Sequence, residues 1–355
     1  MADGNGVDPA NEPSGAHRAI AALERIAELL EFALEPGYRV KAFRGAAGVI
    51  RDLEPEDVEA RARQGRLREL SGVGEKTAKV IEEAVAGSVP AYLKKLELEA
   101  PDIGRGPGAD IRAALRGDCH CHSDWSDGGS PVDEMARAAR ELGHEYVVMT
   151  DHSPRLTVAR GLTAERLEQQ IELIDALNEE MAPFRILKGI EVDINEDGTL
   201  DQSDALLSRL DVVVASVHSK LGGRMPAGLM TRRMVKALQS PFVDILGHCT
   251  GRKVTGKGRP ESPFDAEKVF GVALEHDKAI EINCRPERRD PPKRLISLAL
   301  DMGCRFSIDT DAHAPGQLRW QPYGADRAAE VGVPVDRIVN AWDAPSLTAW
   351  AQSHR

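Results

Sequence analysis

Six of the chain's ten histidines stand at the ends of short apolar runs, and that placement limits the fold more than any other feature. The runs are GDCHCH, EYVVMT, RILKGIEV, DVVVASV, FVDILG, KAIEIN and RFSIDT, each separated from the next by a segment with helical periodicity. Seven strand-helix units in order imply a parallel sheet. With no sign of a reversal in strand order, they fit a closed or nearly closed (β/α) barrel better than an open doubly wound sheet. The runs end in His120 and His122, Asp151-His152, Glu191, His218, His248, and Asp311-x-His313. In a β/α barrel the loops after the strands share one face, so these distant residues converge at a single mouth.

His120 and His122 are two apart on a strand and therefore point the same way, so both imidazoles can reach one ion. Asp127, Glu191 and Asp311 add carboxylates to His120, His122, His152, His218, His248 and His313. A nitrogen and oxygen set without sulfur suits Mn, Zn or Fe, and nine donors are too many for one ion, so two to three divalent metals are implied, with Glu191 as the bridge. A lone strand-end histidine is more often a satisfied structural residue than a ligand; six in register are not explained that way. Cys119 and Cys121 alternate with the histidines and face the opposite side, which argues for buried small hydrophobes and against a zinc finger. His17, His144, His276 and His354 lie in helical or tail context and read as ordinary. The strand-end loops also carry Arg155, Arg160, Lys220, Arg252, Lys253, Arg285, Arg288 and Arg289. A basic, metal-bearing mouth suits a phosphate-containing substrate, with Arg285 and Arg252 expected to contact it.

The chain divides by pattern. Residues 1–16, rich in Gly, Pro, Asn and Asp, read as a disordered tail; 17–98 as an all-helical domain; 99–114, around PDIGRGPGAD, as a linker; and 115–355 as the barrel. Residues 17–98 hold 14 Lys and Arg against 14 Asp and Glu, so the excess behind the net charge of -11 lies elsewhere. That balance argues against coating nucleic acid by bulk charge but allows a local basic face. Hydrophobic residues at 42% suffice for a sizeable core, and no apolar run reaches the roughly 18 residues of a membrane span. Five cysteines, odd and sparse, speak against a disulfide framework and for a reducing cytoplasm.

At HCHSDWSDG, TDHS, GIEVDI, ASVHSK, DILGHCTGR, EINCRPERRD and IDTDAHAPGQL, roughly residues 115–345, the sequence resembles the polymerase and histidinol phosphatase (PHP) family, and more closely the PHP region of bacterial X-family DNA polymerases. The resemblance implies a distorted (β/α)7 barrel with up to three metals: one on His120, His122, Glu191 and Asp311, a second on Glu191, His218 and His248, a third on Asp127, His152 and His313. Cys249 stands where the polymerase relatives usually have proline. Residues 17–98 resemble the small N-terminal domain of the same polymerases, a helix-hairpin-helix in which the Gly72-Val73-Gly74 turn opens a helix. Amide donors there can cradle a DNA phosphate, with Lys76, Lys79, Lys41 and Arg44 as counter-charges. The position of that domain's lyase nucleophile falls on Val80, so no abasic-site lyase is expected. The palm and fingers of the polymerases have no counterpart between the two regions, so no polymerase activity is expected either. The implied function is a metal-dependent phosphoesterase acting on DNA ends or damaged DNA, as a 3'-5' exonuclease, a 3'-phosphatase or an apurinic endonuclease. The alternative is a small-molecule phosphomonoesterase similar to histidinol phosphatase.

Overall fold

The computed structural model describes residues 13–101 and 103–355, which fall into two compact units, Met1–Pro101 and Asp102–Arg355. In the first unit, five helices follow one another: α1 (Gly15–Phe32), α2 (Gly37–Arg51), α3 (Pro55–Gln64), α4 (Glu75–Val85) and α5 (Ala91–Glu99). The tail expected over residues 1–16 lies outside the described residues up to Asn11 and Glu12. Its last part differs from expectation, because the Ser14 hydroxyl accepts a hydrogen bond from the His17 amide and starts α1 at Gly15. On α1, Ala19, Ala22, Leu23, Ile26, Ala27 and Leu30 recur at helical spacing and are buried against Phe43, Ala46 and Ile50 of α2 and Ile81 of α4 in one cluster. Gly65, with φ of 66°, ends α3; Gly72, with φ of 93°, turns the chain into α4. Only glycine holds such angles without strain.

The expected linker 99–114 is shorter than the composition suggests. α5 runs through Glu99, and Ala109–Ala114 is a helix of the second unit. Gly108 is the reason: its amide donates to Asp326 Oδ1 at 2.9 Å, and a Cβ there would come within 2.2 Å of the Ala325 carbonyl carbon. The glycine therefore serves close packing rather than looseness.

The second unit is a single sheet of seven parallel strands in the order β1 (Gly117–Cys121), β2 (Tyr146–Met149), β3 (Arg185–Asp193), β4 (Val212–Ser216), β5 (Ile245–Leu246), β6 (Ala279–Asn283) and β7 (Arg305–Asp309). The helices Val132–Glu141, Ala164–Met181, Ala227–Leu238, Ala266–Glu275 and Lys293–Met302 return the chain between strands. The strands are buried almost throughout, which matches their near-continuous apolar runs. Cys121 packs under the helices with Val132, Met135 and Ile174, whereas a register shift between Asp118 and Cys121 leaves Cys119 on the inward side with Tyr146, Val148 and Val212, contrary to the expected alternation. Asp118 and His120 of β1 are both fully buried.

Between β7 and β1 no ladder runs. The isolated bridge Cys121–Ala312 lies beyond the end of β7, and amide side chains stitch the rest of the seam. Asn340 Nδ2 donates to the carbonyls of Gly117 and Ile308 at 3.0 and 2.8 Å, and Asn340 Oδ1 accepts from the Ile308 amide at 3.1 Å. Gln321 Nε2 also donates to Gly117 at 2.9 Å. The barrel is nearly closed and distorted at this seam, in agreement with the expected fold class. No helix among the described residues is long and apolar enough to cross a membrane.

Candidate metal centre

Each donor owes its position to a strand end. His120 ends the inward face of β1 and His122 follows it; Glu191 lies on β3, His218 just past β4, His248 past β5, and Asp311 and His313 past β7. β5 is only two residues long, and the chain leaves the extended conformation at His248, with φ of 21°. Asp311 sits at φ of 52°, a left-handed conformation that a non-glycine residue keeps only where its surroundings enforce it.

Glu191 is the hub. Its Oε2 lies 3.4 Å from His120 Nε2, 3.6 Å from His122 Nε2 and 2.8 Å from His152 Nδ1, and its Oε1 lies 3.2 Å from His218 Nε2 and 2.9 Å from His248 Nε2. His122 Nε2 also approaches Asp311 Oδ1 at 3.5 Å, while Asp127 Oδ1 lies 3.5 Å from His152 Nε2 and 3.3 Å from His313 Nε2. All nine predicted donors thus come together. They form four overlapping groups: His122, Asp127, His152 and His313; His120, His122 and Asp311; His120, Glu191 and His248; His152, Glu191 and His218. His248 shares a group with His120, and His152 with both Glu191 and Asp127, so the sets interlock more than a three-way partition suggests.

Burial raises the pKa of the Glu191 carboxyl, but the imidazoles of His218, His120 and His152 outweigh it and hold the group well below the ordinary range. Burial, together with His313 and His152, pushes the His122 imidazole well down, keeping a lone pair available. The ring nitrogens of His122, His218 and His248, His120 Nε2, His152 Nδ1 and both Glu191 oxygens are buried and make no hydrogen bond among the described residues. Orphaned polar atoms cost about 1–3 kcal/mol each, so such a cluster is not a stable packing arrangement of its own. Its donor chemistry fits several divalent cations.

Three buried carboxylates that the sequence reading did not select hold this set in place. Glu281 on β6 lies 2.5 Å from His120 Nδ1, accepts the His248 amide, and takes a hydrogen bond from Asn283 Nδ2, which also reaches Asp311 at 3.1 Å. Asp193 on β3 accepts the His218 amide at 3.2 Å and lies 3.5 Å from its Nδ1. Asp151 accepts from the Ser123 amide and hydroxyl at 2.8 and 2.6 Å and from Gln170, fixing the loop that carries Asp127. The available signal was a charged residue inside a buried strand run: EIN for Glu281, EVD for Asp193.

The two arginines chosen for phosphate stand differently. Arg285 donates to the Asp311 carbonyl at 2.7 Å, lies 2.8 Å from His313 Nδ1 and pairs with Glu287 at 3.0 Å, so it braces ligands at the rim. Arg252 is the correction. Its guanidinium donates to the carbonyls of Arg288 and Arg289 and pairs with Glu261, leaving it committed to joining two loops. Arg288 is the cation aimed at the centre, with Nε 3.1 Å from Asp311 Oδ2.

In the helical unit, Gly72 and Gly74 form the expected turn, and Thr77 Oγ1 accepts the Gly74 amide at 2.9 Å. Lys41, Lys76 and Lys79 are exposed, the last loosely paired with Glu83 at 4.0 Å. Arg44 is the second correction: it is bound at 2.8 and 2.9 Å to both oxygens of the buried Glu31, a structural ion pair between α1 and α2. Val80 is buried, as a side chain facing the α1 core.

Comparison with known proteins agrees with this architecture. Residues 118–285 match the PHP domain and residues 15–88 a helix-hairpin-helix domain. A DNA polymerase/3'-5' exonuclease PolX of Bacillus subtilis is 40% identical over 227 residues, which cover 64% of this chain and 39% of that one. A probable phosphatase of a Thermoanaerobacter species is 32% identical over 232 residues, 63% of this chain and 89% of that one. A histidinol phosphate phosphatase structure from Lactococcus lactis overlays with a TM-score of 0.43 at 16% identity, covering 61% of this chain and 94% of that one, a likeness too loose to bear on chemistry. With a relative matched over nearly its whole length and a domain match that spans the donor-bearing strands, the chain belongs to the PHP family.

Proposed function

We propose that this chain is a metal-dependent phosphoester hydrolase whose nine donors hold two to three divalent ions, Mn, Zn or Fe, and whose helical unit brings it to DNA ends or damaged DNA in a reducing cytoplasm. The observation that carries the reading is Glu191, a fully buried carboxylate with five imidazoles within 3.6 Å and no hydrogen bond of its own. Bound there, divalent ions supply Lewis acidity toward a phosphoryl oxygen and bring the pKa of a water toward about 7. The chain's residues do the rest. Glu191 ties the two halves of the donor set together, Glu281 fixes the ring of His120 and the backbone of His248, and Arg288 places a positive charge beside Asp311 where an anionic oxygen would collect.

DNA as substrate is supported by the match of residues 15–88 to a helix-hairpin-helix domain and by the exonuclease name of the Bacillus relative. A phosphomonoesterase reading is favoured by the probable phosphatase matched over 89% of its length. Metal-loaded protein assayed on 3'-recessed DNA and on histidinol phosphate side by side separates them. Faster release of nucleotides or of 3'-phosphate from DNA supports the first, and preference for histidinol phosphate the second.

A further inference from the structure

Beside the donors, on the His218 side, lies a cavity of about 380 Å3 with a basic wall. Lys220 and Arg224 reach it from the loop after β4, and Lys253 and Arg259 from the loop after β5. No carboxylate lines it, in a chain whose net charge is -11. Several surface cations elsewhere on this unit pair with acids, as Lys188 does with Asp175, Arg209 with Glu168 and Lys293 with Glu330. Among the described residues Lys220, Arg224 and Lys253 form no ion pair, and the Arg259 side chain donates only to the Gly251 carbonyl. The cations repel one another: besides burial, Arg288 and Arg259 push Lys253 down, and Arg288 and Arg224 push Arg259 down. Arg288 is also the partner of Asp311, so the basic wall and the donor cluster form one electrostatic surface.

The wall is built rather than loose. Lys253 and Arg259 exchange backbone hydrogen bonds of 2.9 and 2.8 Å, closing a small hairpin. The Gly222 amide donates to Ser262 Oγ at 3.0 Å, and a Cβ on Gly222 would lie 3.1 Å from Arg259 Cγ, so absence of a side chain lets the two loops meet. Lys220 itself is held at φ of 59°. Glu287 and Asp290 act against this repulsion at Lys253 and Arg259 without lining the cavity, so four gathered like charges favour an anion between them. A phosphomonoester presents one phosphate, which the donor cluster takes, and it would leave this wall unneutralised.

We infer that the cavity lined by Lys220, Arg224, Lys253 and Arg259 holds a second phosphate of the same substrate, adjoining the one at the donor cluster, so that the chain prefers a nucleic-acid strand to a phosphomonoester. This rests on the phosphoesterase reading above. A nucleoside diphosphate offers the same two-phosphate chemistry, and the test separates it from a strand.

The experiment uses the full-length, metal-loaded protein and the triple variant Lys220→Ala/Arg224→Ala/Lys253→Ala; Arg259 is kept because it closes its own loop. The ratio of kcat/KM for an oligothymidylate to that for p-nitrophenyl phosphate falls at least about tenfold in the variant, through KM, and the double variant Lys220→Arg/Lys253→Arg, with Arg224 left in place, keeps the wild-type ratio. Independently of hydrolysis, anisotropy of a labelled trithymidylate titrated at several NaCl concentrations shows a salt slope shallower by about 0.7 in the variant, the single-strand value for one lost phosphate contact. An unchanged ratio with an unchanged slope overturns the cavity assignment while leaving phosphoester hydrolysis intact. Stronger competition by ADP than by unlabelled trithymidylate overturns the strand. Failure of the wild type to hydrolyse either substrate, with the slope difference still present, supports the cavity and removes the phosphoesterase reading instead.

Discussion

At Glu191 a single carboxylate meets five imidazoles, and that unequal sharing makes its loss worse than the loss of any one histidine. Glu191→Gln keeps the shape and removes the charge. Turnover is expected to fall by about two to three orders of magnitude, with bound metal below that of each single His→Ala variant by elemental analysis. Glu281 touches only the far side of the ligands, so Glu281→Gln is expected to weaken metal affinity about 10- to 100-fold, read by competition with a chelator. A different buried histidine adds to the acid sensitivity of the fold. Burial and then Arg112 push the His144 imidazole down to about 4, whereas in an unfolded chain it titrates near 6.5. The unfolded chain thus binds a proton that the folded one refuses. The stability contributed by neutral His144 is complete above pH ~6.5 and is lost as pH falls toward about 4, by roughly 2 kcal/mol at pH ~5. Urea midpoints of the wild type and His144→Gln, compared at pH ~7.5 and ~5, should show the smaller acid loss in the variant.

Between the strands, glycines set how closely the donors gather. A Cβ on Gly247, the residue before His248, would fall 2.3 Å from Ser216 Oγ and 2.9 Å from Val214 Cγ1 on β4. Gly247→Ala therefore has to push β5 away from β4 and carry His248 with it. The expected outcome is about 1–3 kcal/mol of lost stability by denaturant titration, accompanied by a lower metal content. The seam between β7 and β1 follows the same logic in reverse: where strands do not pair, Asn340 and Gln321 supply the missing donors and acceptors.

The two units have separate cores: the buried apolar cluster of the helical unit runs from Ala16 to Leu93, while the barrel's clusters begin at Cys119 and Cys121. All nine donors belong to the barrel. A chain lacking the first 101 residues is therefore expected to keep its metal content and its hydrolysis of p-nitrophenyl phosphate while losing most affinity for oligonucleotides longer than the cavity can engage. Equal loss of both activities would make the helical unit a structural support rather than a DNA module.

The seven strands, their parallel order and the nine donors were legible because each is local: a β-branched run is a strand wherever it lies, and a histidine at its end can only project from the barrel mouth. The inward position of His120 and the outward position of Cys121 followed from alternation, whereas Cys119 escapes it through a register shift in β1 and packs with Val148 and Val214 on the inward side. What pairs with what was not local. Arg44 and Arg252 look like free cations in the sequence, yet Glu31 and the Arg288 and Arg289 carbonyls that engage them come from other elements. Glu281 looks like any strand glutamate until folding puts it behind His120, across the barrel from a residue 161 positions away. Residue types and their strand-end spacing were enough to pick out the side chains that could bind metal; which cations stay unpaired beside them emerged only on folding, because pairing depends on distances that no spacing along the chain encodes.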